Sequence, residues 1–137
     1  MNPDLINNLE HCSAASFSGE LTFPQIVERL SSIGIERYHA DFTRREKTYY
    51  FENGDSHVVA FGQLPYSIGR EFRADEVIAA IKQSQQNEHT YEEFIAKTMK
   101  AGCVGYFVQI TGKRALYFGR QGEIHTELFP APVASQP

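Results

Sequence analysis

The chain has 137 residues, 42% of them hydrophobic and 22% charged, a balance expected of a soluble globular domain with its own core. Its formal charge of −4 disfavours nucleic-acid binding driven by phosphate neutralisation, and no apolar run nears the ~20 residues that a spanning helix needs. The first residues, MNPDLINNLEHC, lack the basic start and apolar core of a signal peptide, so a cytoplasmic protein without a membrane role is expected.

Asn2-Pro3-Asp4 opens a first helix, with a capping side chain, a proline suited to the first turn and an acid that complements the dipole. Ile6, Leu9 and Cys12 or Ser13 mark its apolar stripe. The polar run Ser16 to Leu21, with Gly19, ends it. Thr22-x-x-Gln25 is a capping-box pattern for a second helix, whose apolar face is Phe23, Ile26, Val27, Leu30 and Ile33. Gly34 stops it. A strand follows over Ile35 to Thr43, with Tyr38, Ala40 and Phe42 on one face and His39, Asp41 and Thr43 on the other. Arg44-Arg45-Glu46 reads as a charged turn, Thr48 to Glu52 as a strand, Asn53-Gly54 as a hairpin turn and His57 to Phe61 as a third strand.

Gly62 to Phe72 has no clear period and reads as a connection. A third helix begins near Ala74, with Val77, Ile78 and Ile81 apolar. Thr90-x-x-Glu93 is a second capping box, for a helix with Tyr91, Phe94, Ile95 and Met99 buried and Gly102 at its end. Strands follow over Cys103 to Ile110, Arg114 to Phe118 and Ile124 to Phe129. Pro130 ends the last, and APVASQP is a small, Pro-rich tail expected to be flexible.

The second half repeats the first. With a shift of 68 residues, eight of the 40 positions from Thr22 to Phe61 are identical: Thr22/Thr90, Gly34/Gly102, Tyr38/Tyr106, Thr43/Thr111, Tyr49/Tyr117, Gly54/Gly122, His57/His125 and Phe61/Phe129. Composition alone gives roughly two or three such matches. The expected architecture is therefore α+β: two tandem ααβββ repeats, about 3–61 and 73–129, with antiparallel three-stranded meanders covered by helices and related by a pseudo-two-fold axis. Residues 1–130 form a single domain in this reading, and 131–137 a flexible tail. The pattern leaves open whether the meanders join into one sheet or face each other.

Ala101-Gly102-Cys103-x-x-Tyr106, then Tyr117-Phe118-Gly119-Arg120-x-Gly122-x-x-His125-x-Glu127-x-Phe129-Pro130, resembles the YdfO/YbcV-like bacterial and prophage proteins. These form a family of unknown function, sometimes labelled "phage envelope protein". Gly34-Ile35-x-x-Tyr38-x-x-Asp41-Phe42 follows the same pattern. The resemblance implies a small α+β protein and carries no catalytic residue with it.

The residues themselves supply few chemical candidates. His57 and His125 hold equivalent positions, and His125 and Glu127 lie two apart on one strand face, as a His/carboxylate ligand pair would. The bland alternative is a pair of strand histidines kept from a duplication, and with no third ligand apparent no metal or cofactor is assigned. Tyr38 and Tyr106 would line a ligand groove with their hydroxyls, or else pack as strand-core aromatics beneath the helices. Cys12 and Cys103 read as reduced, buried small hydrophobes. Arg44, Arg45, Lys47, Lys113, Arg114 and Arg120 gather near hairpin turns, as an anion site or as solvated tips. Phosphate loop, nucleophile elbow, CxxC and HExxH are all missing. The leading expectation is a non-enzymatic binding or interaction protein of prophage type, with an unknown protein or small-molecule partner or a second copy as a homodimer. The alternative is a small ligand- or metal-binding enzyme using His57, His125 and Glu127 between the repeats.

Overall fold

Thr22 and Thr90 begin their helices with the same device. Each hydroxyl accepts from the backbone N–H three residues on, and the Gln25 or Glu93 side chain accepts from the threonine N–H in return. Ten elements follow in the order α1 (Pro3–Ser18), α2 (Phe23–Ser32), β1 (Ile35–Asp41), β2 (Glu46–Phe51), β3 (Ser56–Ala60), α3 (Ala74–Gln85), α4 (Tyr91–Lys100), β4 (Cys103–Gln109), β5 (Arg114–Gly119) and β6 (Ile124–Leu128). The computed structural model describes residues 2–62 and 64–129, so the expected flexible tail lies outside the described residues.

The strands form one antiparallel sheet of six, in the order β3-β2-β1-β4-β5-β6. The first strands of the two meanders meet at its centre, pairing Tyr38 with Val108, His39 with Phe107 and Ala40 with Tyr106. Strands β3 and β6 are therefore the two edges. One face carries Tyr38, Ala40, Tyr49, Val59, Tyr106, Val108, Ala115 and Tyr117, all buried under the helices in a single core. Among the described residues no helix packs on the other face, and Val58, Ile124 and Leu128 stand exposed on it.

Element boundaries shift from the sequence expectation by one or two residues, for local reasons. Strand β1 ends at Asp41, because the Asp41 carboxylate accepts from the N–H groups of Thr43 and Arg44 and turns the chain. Helix α1 runs on to Ser18 before Gly19 ends it, which brings Phe17 over the sheet against Phe61 and Tyr91. Strand β2 starts at Glu46, two residues earlier than expected, and so takes in Lys47. The connection after β3 is tied down by bonds from Gly69 N–H to Met99 O (2.8 Å) and from Arg73 N–H to Ala101 O (2.7 Å).

Candidate functional site

His57 and His125 lie on opposite edge strands. Five strand spacings separate those edges, about 24 Å at the usual spacing between neighbours. The two histidines therefore do not converge on one point within a chain. Each has its own acid instead. His57 Nε2 is 3.9 Å from Glu10 Oε2 of α1, too long for a hydrogen bond, and is a buried nitrogen without a hydrogen-bond partner among the described residues. His125 Nε2 is 3.0 Å from Glu127 Oε1. Among the described residues no group of three His, Cys, Asp or Glu side chains comes together as metal ligands.

Tyr38 and Tyr106 sit on the two central strands and belong to the core, each only 3% exposed. They form one aromatic cluster with Tyr49, Phe42, Phe94 and Tyr117. The Tyr91 and Tyr106 hydroxyls are hydrogen-bonded to each other. Burial pushes the phenols of Tyr38, Tyr49, Tyr91, Tyr106 and Tyr117 upward, so they stay protonated at neutral pH.

Inside this cluster lies a group that the sequence reading placed on a turn. Lys47 is 3% exposed. Its Nζ lies 4.3 Å from the centre of the Tyr91 ring, 5.7 Å from that of Tyr38 and 5.8 Å from that of Phe17. Among the described residues no carboxylate forms an ion pair with it, and burial lowers its amine to about 7. The signal that would have found it is parity: Lys47, Tyr49 and Phe51 alternate along β2 and all face the helices.

A groove of about 510 Å³ runs between α1 and edge strand β3. Glu10, Ser13, Ala14 and Phe17 line one side and Val58 to Phe61 the other. Three of the basic turn residues are engaged elsewhere. Arg44 pairs with Glu46 at 2.6 Å, Arg45 donates to the Leu64 carbonyl, and Arg120 donates to the carbonyls of Gly69 (3.0 Å) and Ile68 (2.7 Å). Both cysteines are free and buried, and burial raises the Cys103 thiol to about 11, which leaves little thiolate.

A family model described as "Protein of unknown function (DUF1398)" matches residues 53–127. The chain belongs to that family. The DUF1398 match starts at the β2–β3 turn, takes in the connection and both helices of the second half, and ends in β6. It thus includes His57, Tyr106, His125 and Glu127 but leaves out α1, Tyr38 and Lys47. No curated protein matches the chain.

Proposed function

We propose that this chain is a binding module that takes up an extended peptide by strand addition at β3. The observation that carries this reading is the character of that edge. Strand β3, SHVVA, has no lysine, no proline and no acid, the devices by which proteins usually blunt an open edge. Its hydrogen-bond phase also leaves it receptive. Phe61 N–H donates to Arg45 O (2.9 Å) and Phe51 N–H to Asp55 O (2.8 Å), while His57 stands opposite Tyr49 and Val59 opposite Lys47. Odd-numbered residues therefore bond inward to β2, and Ser56, Val58 and Ala60 turn their N–H and C=O groups outward. A strand added there would send alternate side chains toward α1, into the groove lined by Phe17 and Phe61. Glu10 is the groove's one charged side chain, and the chain as a whole carries −4, so the favoured partner is an apolar segment with a basic residue.

The same reading includes a history. We infer that the chain is a tandem ααβββ duplication with a pseudo-two-fold axis through the centre of the sheet, forming one domain. Several features support it. The two capping boxes are 68 residues apart, as are Arg45 and Lys113, both left-handed with φ 58° and 56°. The central ladder pairs His39 with Phe107, the residue 68 positions on. A cytoplasmic setting and a YdfO/YbcV-like prophage origin complete the reading, supported by the two free cysteines and by the motif from Ala101 to Phe129. His57 then serves as a polar group at the groove, and His125 with Glu127 as its counterpart at the far edge.

The test is selection of a random heptapeptide library on the wild-type chain and on Val58→Pro, which removes an outward N–H from an edge strand where proline is tolerated. Peptides enriched on the wild type and lost on Val58→Pro support strand addition. A homodimer that Val58→Pro dissociates would make a second copy the occupant and overturn the peptide reading. Lack of enrichment, or equal binding to both chains, also overturns it.

A further inference from the structure

We propose that Lys47 is a carbonyl-reactive amine, which takes a small apolar aldehyde from the groove between α1 and β3 and holds it as an imine. This does not rest on peptide binding. Three observations carry it. The amine is buried inside the fold, yet among the described residues no carboxylate pairs with it. Three aromatic rings surround it, and an uncompensated buried ammonium is costly even beside rings. The packing of this fold does not require it either. The residue 68 positions on, at the same place in β5, is Ala115, equally buried beneath the helices.

Phe17 is shared between the surroundings of the amine and the groove. Phe17 lies 5.8 Å from Lys47 Nζ at its ring centre and also lines the groove, as does Val59, the residue opposite Lys47 on β3. The groove's volume of about 510 Å³ suits a small molecule, and its walls are mostly apolar. Glu10 at its side disfavours a carboxylate, which selects an uncharged aldehyde over a 2-oxo acid.

The chemistry balances without a co-reactant. The Nζ lone pair adds to the carbonyl carbon to give a carbinolamine. The carbonyl oxygen then leaves as water with both hydrogens of the neutral amine, and a C=N bond remains. Hydrolysis returns the aldehyde. Burial holds the amine at about 7, so much of it is neutral near neutral pH. The groups facing it are Cys12 of α1, whose charge would raise it, Tyr38 of β1 and Tyr91 of α4, both with phenols kept protonated by burial.

The experiment is reductive trapping of the full chain with hexanal and cyanoborohydride at pH 7, followed by peptide mass mapping. Lys47 should gain a hexyl group at least ~10-fold faster than Lys82, Lys97, Lys100 and Lys113, because only a neutral amine adds to a carbonyl and burial lowers the Lys47 amine to about 7. Lys47→Arg should lose the fast site and keep the slow ones. Phe17→Ala is the access control. Labelling of Lys47 that trails the other lysines overturns the proposal, and so does fast labelling seen only once the Phe17 ring is removed. The trapping is run without any peptide and read at Lys47 alone, so failure of peptide binding and failure of imine formation are told apart.

Discussion

His39 and Phe107 stand opposite each other where β1 meets β4, their rings stacked with centroids 4.4 Å apart and planes 14° from parallel. They lie on the face that none of the helices α1 to α4 covers. Burial lowers the His39 pKa, although nearby Asp41 opposes the shift. The folded state therefore prefers the neutral ring. As pH falls through the ordinary histidine range, the unfolded chain takes up the proton first, and stability is lost on the acid side. His39→Phe should keep the stack and reduce the drop in urea midpoint between pH 7 and pH 5.5. Part of the drop should remain, because the pKa of His89 is also lowered, by burial and then by Lys97. An unchanged drop in the variant would show that the stack does not care about the charge.

Lys47 makes a prediction of opposite pH range. Its folded amine is lowered to about 7 by burial, against an ordinary value near 10.5. Between those values the unfolded chain binds a proton that the folded chain does not, so stability rises with pH. Between pH 7 and 9 Lys47 by itself should contribute a rise of ~2 kcal/mol. The buried thiols work against it from about pH 8 and the buried phenols higher still: raised by burial, they keep their protons in the fold and lose them in the unfolded chain, so the Lys47 part is the difference between wild type and variant. Lys47→Met should flatten the rise and be the more stable protein at pH 7. Denaturant titrations at pH 7, 8 and 9 measure both.

Gly34 and Gly102 end α2 and α4 with φ of 91° and 88°, but they differ in their surroundings. A Cβ on Gly34 would meet only the Phe51 ring at 4.0 Å. A Cβ on Gly102 would lie 2.6 Å from the Glu71 carbonyl carbon and 2.9 Å from Phe72 Cα, backbone that cannot swing aside. Gly34→Ala should cost ~1 kcal/mol for the left-handed backbone alone. Gly102→Ala should add the clash and cost ~3 kcal/mol or more. Thermal unfolding of the two variants compares them directly.

These glycines show what could be read in the chain and what could not. Caps, stops and alternation are local, so Thr22, Thr90, Gly34, Gly102 and Asn53-Gly54 marked the elements to within one or two residues. The surroundings of Gly102 come from the connection after β3, which has no period of its own. Joining β1 to β4 is a non-local choice that both meanders permit equally. That choice sends His57 and His125 to opposite edges. Lys47 was misread for a different reason. Starting β2 at Thr48 rather than Glu46 left it in the turn with Arg44 and Arg45, although its parity with Tyr49 points it inward.

Arg120 was read with the basic hairpin residues and proves to be a strut. Its guanidinium donates to the Gly69 carbonyl at 3.0 Å and the Ile68 carbonyl at 2.7 Å, across 51 and 52 residues of sequence. Those carbonyls belong to the connection between the two halves. Gly69 N–H in turn donates to Met99 O at 2.8 Å, at the end of α4. A cation that closes two carbonyls against one segment holds it more firmly than a neutral donor would. The site is exposed, so the loss in Arg120→Met should be modest, about 1 kcal/mol in global stability. The larger effect should be local. The Gly69 amide should exchange with solvent faster in the variant than in the wild type, while amides of β1 and β4 keep their protection. Hydrogen exchange that rises evenly through the sheet would mean instead that the connection and the core open together. Arg120 would then support the whole fold rather than one strap across it.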